Sequence, residues 1–219
     1  MFRMRLAVIF LFSCVSAKAQ FMDTLRVCIN RKASLICFLD SRNSFISDRR
    51  ANIWGVKIGA EFGGKLSFGG GWNMHTNNLT KEIFLPKAGG GLDSTEATLR
   101  FAYFSYFARY VYYQSKRWKF SVTPLQIGFG RSRYDYDYAG ESFRTDKKTV
   151  IVYENNIAVS YRIFRWLGAG TDLGFRWMIR NNDAIPENFN SPIYSFYSII
   201  YWGELYKMVF PGSKLAKRL

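Results

Sequence analysis

Residues 167–180 set Leu167, Ala169, Thr171, Leu173, Phe175, Trp177 and Ile179 at one parity and Gly168, Gly170, Asp172, Gly174, Arg176, Met178 and Arg180 at the other. A period of two marks a strand with one apolar and one polar face. Three further segments obey it. Residues 149–164 place Ile151, Tyr153, Ile157, Val159, Tyr161 and Ile163 opposite Glu154, Asn156, Ser160 and Arg162; residues 53–62 place Trp54, Val56, Ile58, Ala60 and Phe62 opposite Gly55, Lys57, Gly59 and Glu61. Residues 66–76 set Leu66, Phe68, Trp72 and Met74 against Ser67, Gly69, Gly71, Asn73 and His75.

Aromatics make up 18% and hydrophobic residues 48% of the chain, yet the mean hydropathy is only -0.12, because apolar and polar residues alternate finely. After the N-terminal segment no apolar run reaches the length of a membrane helix, whereas a barrel strand crosses with about 9–11 residues, every second one facing lipid. Residues 34–46, 95–113 and 192–206 read as further strands on β-branched and aromatic content. Trp118, Phe120 and Val122 share one parity while Leu125, Ile127 and Phe129 share the other, which predicts a bulge at Thr123-Pro124. The fold expected is an all-β, antiparallel transmembrane β-barrel of about eight strands over residues 34–206, in one domain.

The connections, at 47–52, 63–65, 77–94, 114–117, 131–148, 165–166 and 181–191, alternate short and long after the first, the pattern of short periplasmic turns and longer outer loops. Trp54, Trp118, Trp166, Trp177 and Trp202 fall near expected strand ends, with Trp72 about four residues from one, as interfacial girdles require. Residues 1–19 read as a signal peptide, with Arg3 and Arg5, the apolar stretch 6–12 and Ala17-Lys18-Ala19 before Gln20. A rival reading ends the leader at a lipidated Cys14. Residues 20–33 then form a periplasmic N-terminal segment and 207–219 a basic C-terminal tail.

Loss of the leader lowers the formal charge of +15 by three. For an exported chain without basic helices, the counter-charges are outer-membrane lipids, lipopolysaccharide or acidic cell-wall polymer, and not nucleic acid. Cys28 and Cys37 remain as a candidate disulfide, provided their Cα atoms approach within about 7 Å.

Asp40-Ser41-Arg42-Asn43-Ser44-Phe45-Ile46, followed by Gly55-Val56-Lys57-Ile58-Gly59, resembles small outer-membrane β-barrel proteins of the Bacteroidota type. The resemblance implies a fold and a location in the bacterial outer membrane, with the barrel assembly machinery as a partner. Barrels of this kind often end on an aromatic; here the expected last strand is followed by Lys207 to Leu219, and Tyr206 or Phe210 stands in its place.

His75, the sole histidine, lies at the outer end of the third strand beside Thr76, Asn77 and Asn78. A rim histidine with a hydroxyl or carboxylate partner can edit lipids, because acyl transfer needs a general base next to a nucleophile. No such partner is assigned by spacing. Lumen charges are expected at Lys57, Glu61, Glu154, Arg162, Asp172 and Arg176, with Asp40, Arg42, Lys119 and Glu204 as further candidates. An eight-stranded lumen is just wide enough for side chains, so these pair into a plug. Gly168, Gly170, Gly174 and Gly69-Gly70-Gly71 sit inside strands and make no phosphate loop, no Cys/His spacing suits a metal, and no cofactor is expected. The periplasmic edge collects Arg26, Arg31, Lys32, Lys65, Lys116, Arg117, Lys119, Arg165, Lys207, Lys214, Lys217 and Arg218, while the outer segment 131–148 interleaves Tyr134, Tyr136 and Tyr138 with both charge signs. The expected role is a non-enzymatic structural or adhesive barrel. The alternatives are a lipid acyltransferase or deacylase using His75, and a small passive channel.

Overall fold

The computed structural model describes residues 26–46, 49–76, 79–86, 91–181, 189–214 and 216; the leader and the Cys14 alternative lie outside them. Ten strands follow a helical turn at residues 26–29. They are β1 (Ala33–Ile46), β2 (Arg49–Phe62), β3 (Leu66–His75), β4 (Thr80–Pro86), β5 (Leu92–Gln114), β6 (Trp118–Tyr138), β7 (Glu141–Arg144), β8 (Lys148–Arg162), β9 (Leu167–Arg180) and β10 (Ser191–Tyr201), and a helix, α1 (Trp202–Val209), ends the run. Eight of them, in the order β5-β3-β2-β1-β10-β9-β8-β6, form an antiparallel ring that closes through β5 and β6. Closure leaves no ring strand with an unpaired edge, the condition for crossing hydrocarbon with strands.

Parity along each strand selects wall or lumen. Ile58, Trp72, Leu173 and Phe196 are 55%, 52%, 61% and 62% exposed on the outer wall, while Arg42, Arg176, Glu154 and Lys57 are 0%, 0%, 1% and 3% exposed inside. A water-soluble domain does the reverse. The four segments with clean alternation keep it in β2, β3, β8 and β9, and the expected bulge is present: the β6–β8 register shifts between Thr123 and Gln126. Proline at 124 removes a ladder donor there, and its neighbour Leu125 turns outward with it.

Short turns at residues 63–65, 115–117 and 163–166 stand at one end, which is the periplasmic end of such barrels. Gly63 and Gly64 supply the left-handed conformations (φ 57° and 72°) of the first turn. The other end is built up. β5 (23 residues) and β6 (21 residues) exceed a membrane crossing by about a factor of two. Their outer halves carry β4 and β7 on either side, giving a four-stranded sheet β4-β5-β6-β7 above the barrel. Residues 77–94 and 131–148, expected as loops, are therefore largely strand. The backbone pairing of a projecting hairpin satisfies the amide groups that a long loop would leave to water.

A second difference lies at the C-terminus. The last strand stops at Tyr201, and residues 202–206, expected to continue it, begin α1. Trp202, Leu205, Tyr206 and Val209 fall at helical spacing. Glu204 pairs with Lys207 one turn on at 3.1 Å, so it is not a lumen charge, and the first residues of the expected basic tail belong to the helix. Tyr206 and Phe210 accordingly pack against each other, with ring centroids 5.1 Å apart, outside the last strand.

Candidate functional site: the sealed lumen and the outer rim

Three layers fill the lumen. Nearest the outside, Ala51, Ile53, Ala97, Leu99, Phe101, Tyr103, Tyr134, Val150, Val152 and Phe189 form one buried apolar cluster. Phe189 enters from the connection after β9 and meets Phe101 at 5.5 Å between centroids. Sequence reasoning assigned a polar interior and missed this layer. Its signal was the inward parity of Ala97, Leu99, Phe101 and Tyr103 along the outer half of β5.

The middle layer is ionic. Glu154 on β8 accepts from Arg176 Nε on β9 at 2.7 Å and from the Tyr103 hydroxyl on β5 at 3.0 Å. It also accepts from Arg42 on β1 and Gln126 on β6. Asp40 takes Arg42 at 2.7 Å and Lys57 at 2.9 Å. Lys57 donates onward to Gln126 at 3.1 Å, and Arg176 to Ser44 at 3.0 Å. Asp172, also buried, lies within electrostatic reach of Arg42 and Lys57. Three cations thus face three carboxylates. Buried charge is tolerable when paired and hydrogen-bonded, as Asp40, Glu154, Arg42, Lys57 and Arg176 are, while Asp172 Oδ1 has no hydrogen-bond partner among the described residues. Gly128 makes room for the Tyr103 ring, which a side chain at 128 would strike.

The periplasmic layer is aromatic and cationic. Phe38, Phe107, Tyr197 and Tyr201 bury with Ile36, Ala158 and Ile199. Arg109 lies over Phe38 at 4.4 Å and Tyr197 at 5.2 Å, and Arg162 over Tyr201 at 4.3 Å. Lys119, which the sequence offered both as a further lumen charge and on the periplasmic edge, turns inward and pairs with both oxygens of Glu61 at 2.8 Å. Arg109 was not singled out from sequence, because the faces of β5 are hard to separate among so many aromatics. Arg26, Arg31, Lys32, Lys65, Lys116, Arg117 and Arg165 stay exposed.

Of the expected lumen charges, Lys57, Glu61, Glu154, Asp172 and Arg176 are buried, and Arg162 is half-buried at the periplasmic mouth. His75 faces inward at the rim, and its Nε2 has no hydrogen-bond partner. Among the described residues it makes no hydrogen bond to a hydroxyl or carboxylate, so the arrangement that activates a nucleophile is not assembled around it. Cys28 and Cys37 are both buried and both free thiols, without the disulfide considered above. No three His, Cys, Asp or Glu side chains converge as a cation site among the described residues.

Tryptophans on the outer wall form two groups. Trp118, Trp166 and Trp202 lie at the short-turn end, and Trp54, Trp72 and Trp177 toward the other. Between them run outward apolar stretches of about 9–11 residues, the length of a crossing. The chain is built as an outer-membrane β-barrel. No protein-family model matches the sequence and no curated protein matches it. Among solved structures, Neisserial surface protein A aligns over 77% of this chain and 96% of its own at 12% identity, with a TM-score of 0.47. The N-terminal β-barrel domain of Pseudomonas aeruginosa OprF aligns over 77% and 98% at 8% identity with a TM-score of 0.44. Ail, the attachment invasion locus protein of Yersinia pestis, aligns over 77% and 96% at 11% identity, also at 0.44. The barrel assignment rests on the strand ring and its inside-out surface, not on these likenesses.

Proposed function

We propose that the protein is a non-conducting, non-enzymatic outer-membrane barrel that serves as a structural or adhesive element. Its contact surfaces are the sheet β4-β5-β6-β7 on the outside and the basic periplasmic edge on the inside. The sealed lumen carries this reading: an apolar layer, a charge-balanced ionic layer and an aromatic layer lie in series across the only route a solute could take through the ring. The outer sheet supports it, since Tyr136 stacked on Phe143 at 5.7 Å makes a rigid aromatic surface well beyond the membrane crossing. The segments Asp40 to Ile46 and Gly55 to Gly59 lie paired on β1 and β2, and they carry the likeness to barrels of Bacteroidota, the group to which we refer the protein. Its periplasmic cations suit the carboxylates of cell-wall polymer or inner-leaflet phosphates.

The test is conductance. Purified, heat-modifiable protein reconstituted in planar bilayers is expected to give no unitary current over a range of voltages. Stepwise current that persists in independent preparations overturns the reading and favours a passive channel.

A further inference from the structure

The strand register places a cationic, concave patch immediately above an aromatic row on one side of the outer wall. Trp72, Phe104, Phe129 and Ile151 are consecutive partners across β3, β5, β6 and β8. The next outward row is Met74, Ala102, Arg131 and Thr149, and the row beyond pairs Arg100 with Arg133. Two residues along a strand span about 7 Å, so these cations stand about 7 and 14 Å beyond the aromatic row. That is where headgroups lie above acyl chains. Lys147, preceding β8, completes the rim, and the small side chain of Ala102 makes the floor. The result is a cavity of about 650 Å³ lined by Trp72, Met74, Phe129, Arg100, Arg131 and Lys147, among others.

Charge here is not cancelled. Asp135 takes Arg133 at 2.8 Å and Arg100 at 3.6 Å, while Arg131 and Lys147 enter no ion pair among the described residues. Next to the patch on β2, whose Trp54 pairs with Met74, the outward residues beyond are uncharged Asn52 and, across on β1, Asn43, and Arg50 is turned onto Asn43 at 3.0 Å; on the other flank Arg180 of β9 pairs with Ile151 and continues the cationic rim. The positive face is therefore directional.

We propose that this patch binds the phosphate groups of an anionic glycolipid of the outer leaflet, of the lipid A class, with an acyl chain lying on Trp72, Phe104 and Phe129. The inference rests on the outer-membrane reading above and names the lipid the barrel selects. Phosphates meet Arg131 and Lys147 first, and Arg100 and Arg133 hold the second row. Guanidinium forks suit phosphate oxygens.

The experiment is native mass spectrometry of the purified barrel in detergent micelles, titrated with bis-phosphorylated lipid A and with its dephosphorylated counterpart. A cation beside an anionic headgroup contributes about fivefold to affinity. Arg131→Gln with Lys147→Gln is expected to weaken binding of the phosphorylated lipid by roughly 25-fold. Arg165→Gln with Lys116→Gln, the same charge change at the short-turn end, should leave it within about twofold. All four positions are exposed, and the heat-dependent gel shift verifies folding of each variant. Equal affinity for the two lipids, equal losses in the two double variants, or no loss in the first overturns the proposal. Because the titration needs no bilayer, its failure is distinct from failure of the membrane reading, which flotation with liposomes tests separately.

Discussion

Removing the charge of Glu154 tests the logic of the sealed lumen most directly. In Glu154→Gln, Arg42 keeps Asp40 at 2.7 Å, but Arg176 loses its only carboxylate partner among the described residues and retains Ser44 at 3.0 Å. The side chain of Arg176 is fully buried, so a guanidinium is left in the lumen without a counter-charge, and the new amide points donors at donors. Breaking one partner out of a buried ionic network costs about 3–5 kcal/mol. With a urea dependence of about 2 kcal/mol per molar, the unfolding midpoint falls by roughly 1.5–2.5 M. The measurement is the fraction of compact, heat-modifiable barrel across a urea series in lipid vesicles. Adding Arg176→Gln restores the balance of cations and carboxylates, and the double variant should be more stable than the sum of the singles by about 1 kcal/mol or more. A midpoint shift below about 0.5 M in Glu154→Gln, or strict additivity in the double variant, would show that water reaches the layer and that the network does not seal the barrel.

Two further perturbations probe how the wall positions that layer. Gly128→Val thrusts methyl groups into the ring of Tyr103 and should cost about 1–3 kcal/mol by overpacking, read in the same urea series; an unchanged midpoint would mean that Tyr103 has room to swing aside. Deleting Pro124 removes the extra residue of the β6 bulge, so that Leu125 alone stands between the inward Thr123 and Gln126, and Ile127 and Phe129 keep facing lipid. A heat-modifiable barrel is therefore still expected in membranes, and its complete loss would refute the register assignment.

Legibility in the sequence followed the contrast between the two faces of each strand. β2, β3, β8 and β9 were readable because lumen and wall differ sharply there, as Lys57 and Glu61 differ from Ile58 and Phe62. The same contrast exposed the bulge at Thr123-Pro124 and the ionic layer, since a charge at inward parity in a narrow barrel has nowhere to go except onto an opposite charge. β5 was blurred because the outer half of its lumen face is apolar: Leu99 and Phe101 look inward into a hydrophobic layer while Phe104 looks outward into lipid. Periodicity cannot separate two environments that want the same side chains. β4 and β7 were hidden for a related reason, being short, mixed in composition and dependent on long neighbours for their pairing. At the C-terminus, the aromatic residues that suggest strand also sit at helical spacing, and only the end of pairing at Tyr201 decides between the two.

The ionic layer also bears on the order in which the molecule comes together. Its direct bonds draw Asp40 and Arg42 from β1, Lys57 from β2, Tyr103 from β5, Gln126 from β6, Glu154 from β8 and Arg176 from β9. Asp40 and Arg42 balance each other within β1, but Lys57 on β2 leaves one cation in excess until Glu154 arrives on β8, and the ring itself shuts only when β10, the last strand of the chain, meets β1. A barrel that closed without β2 or without β8 would enclose an uncompensated charge at a cost of several kcal/mol. Electrostatics thereby ties β2 to β8 across the lumen, since an assembly that lacks either strand carries the imbalance into its interior.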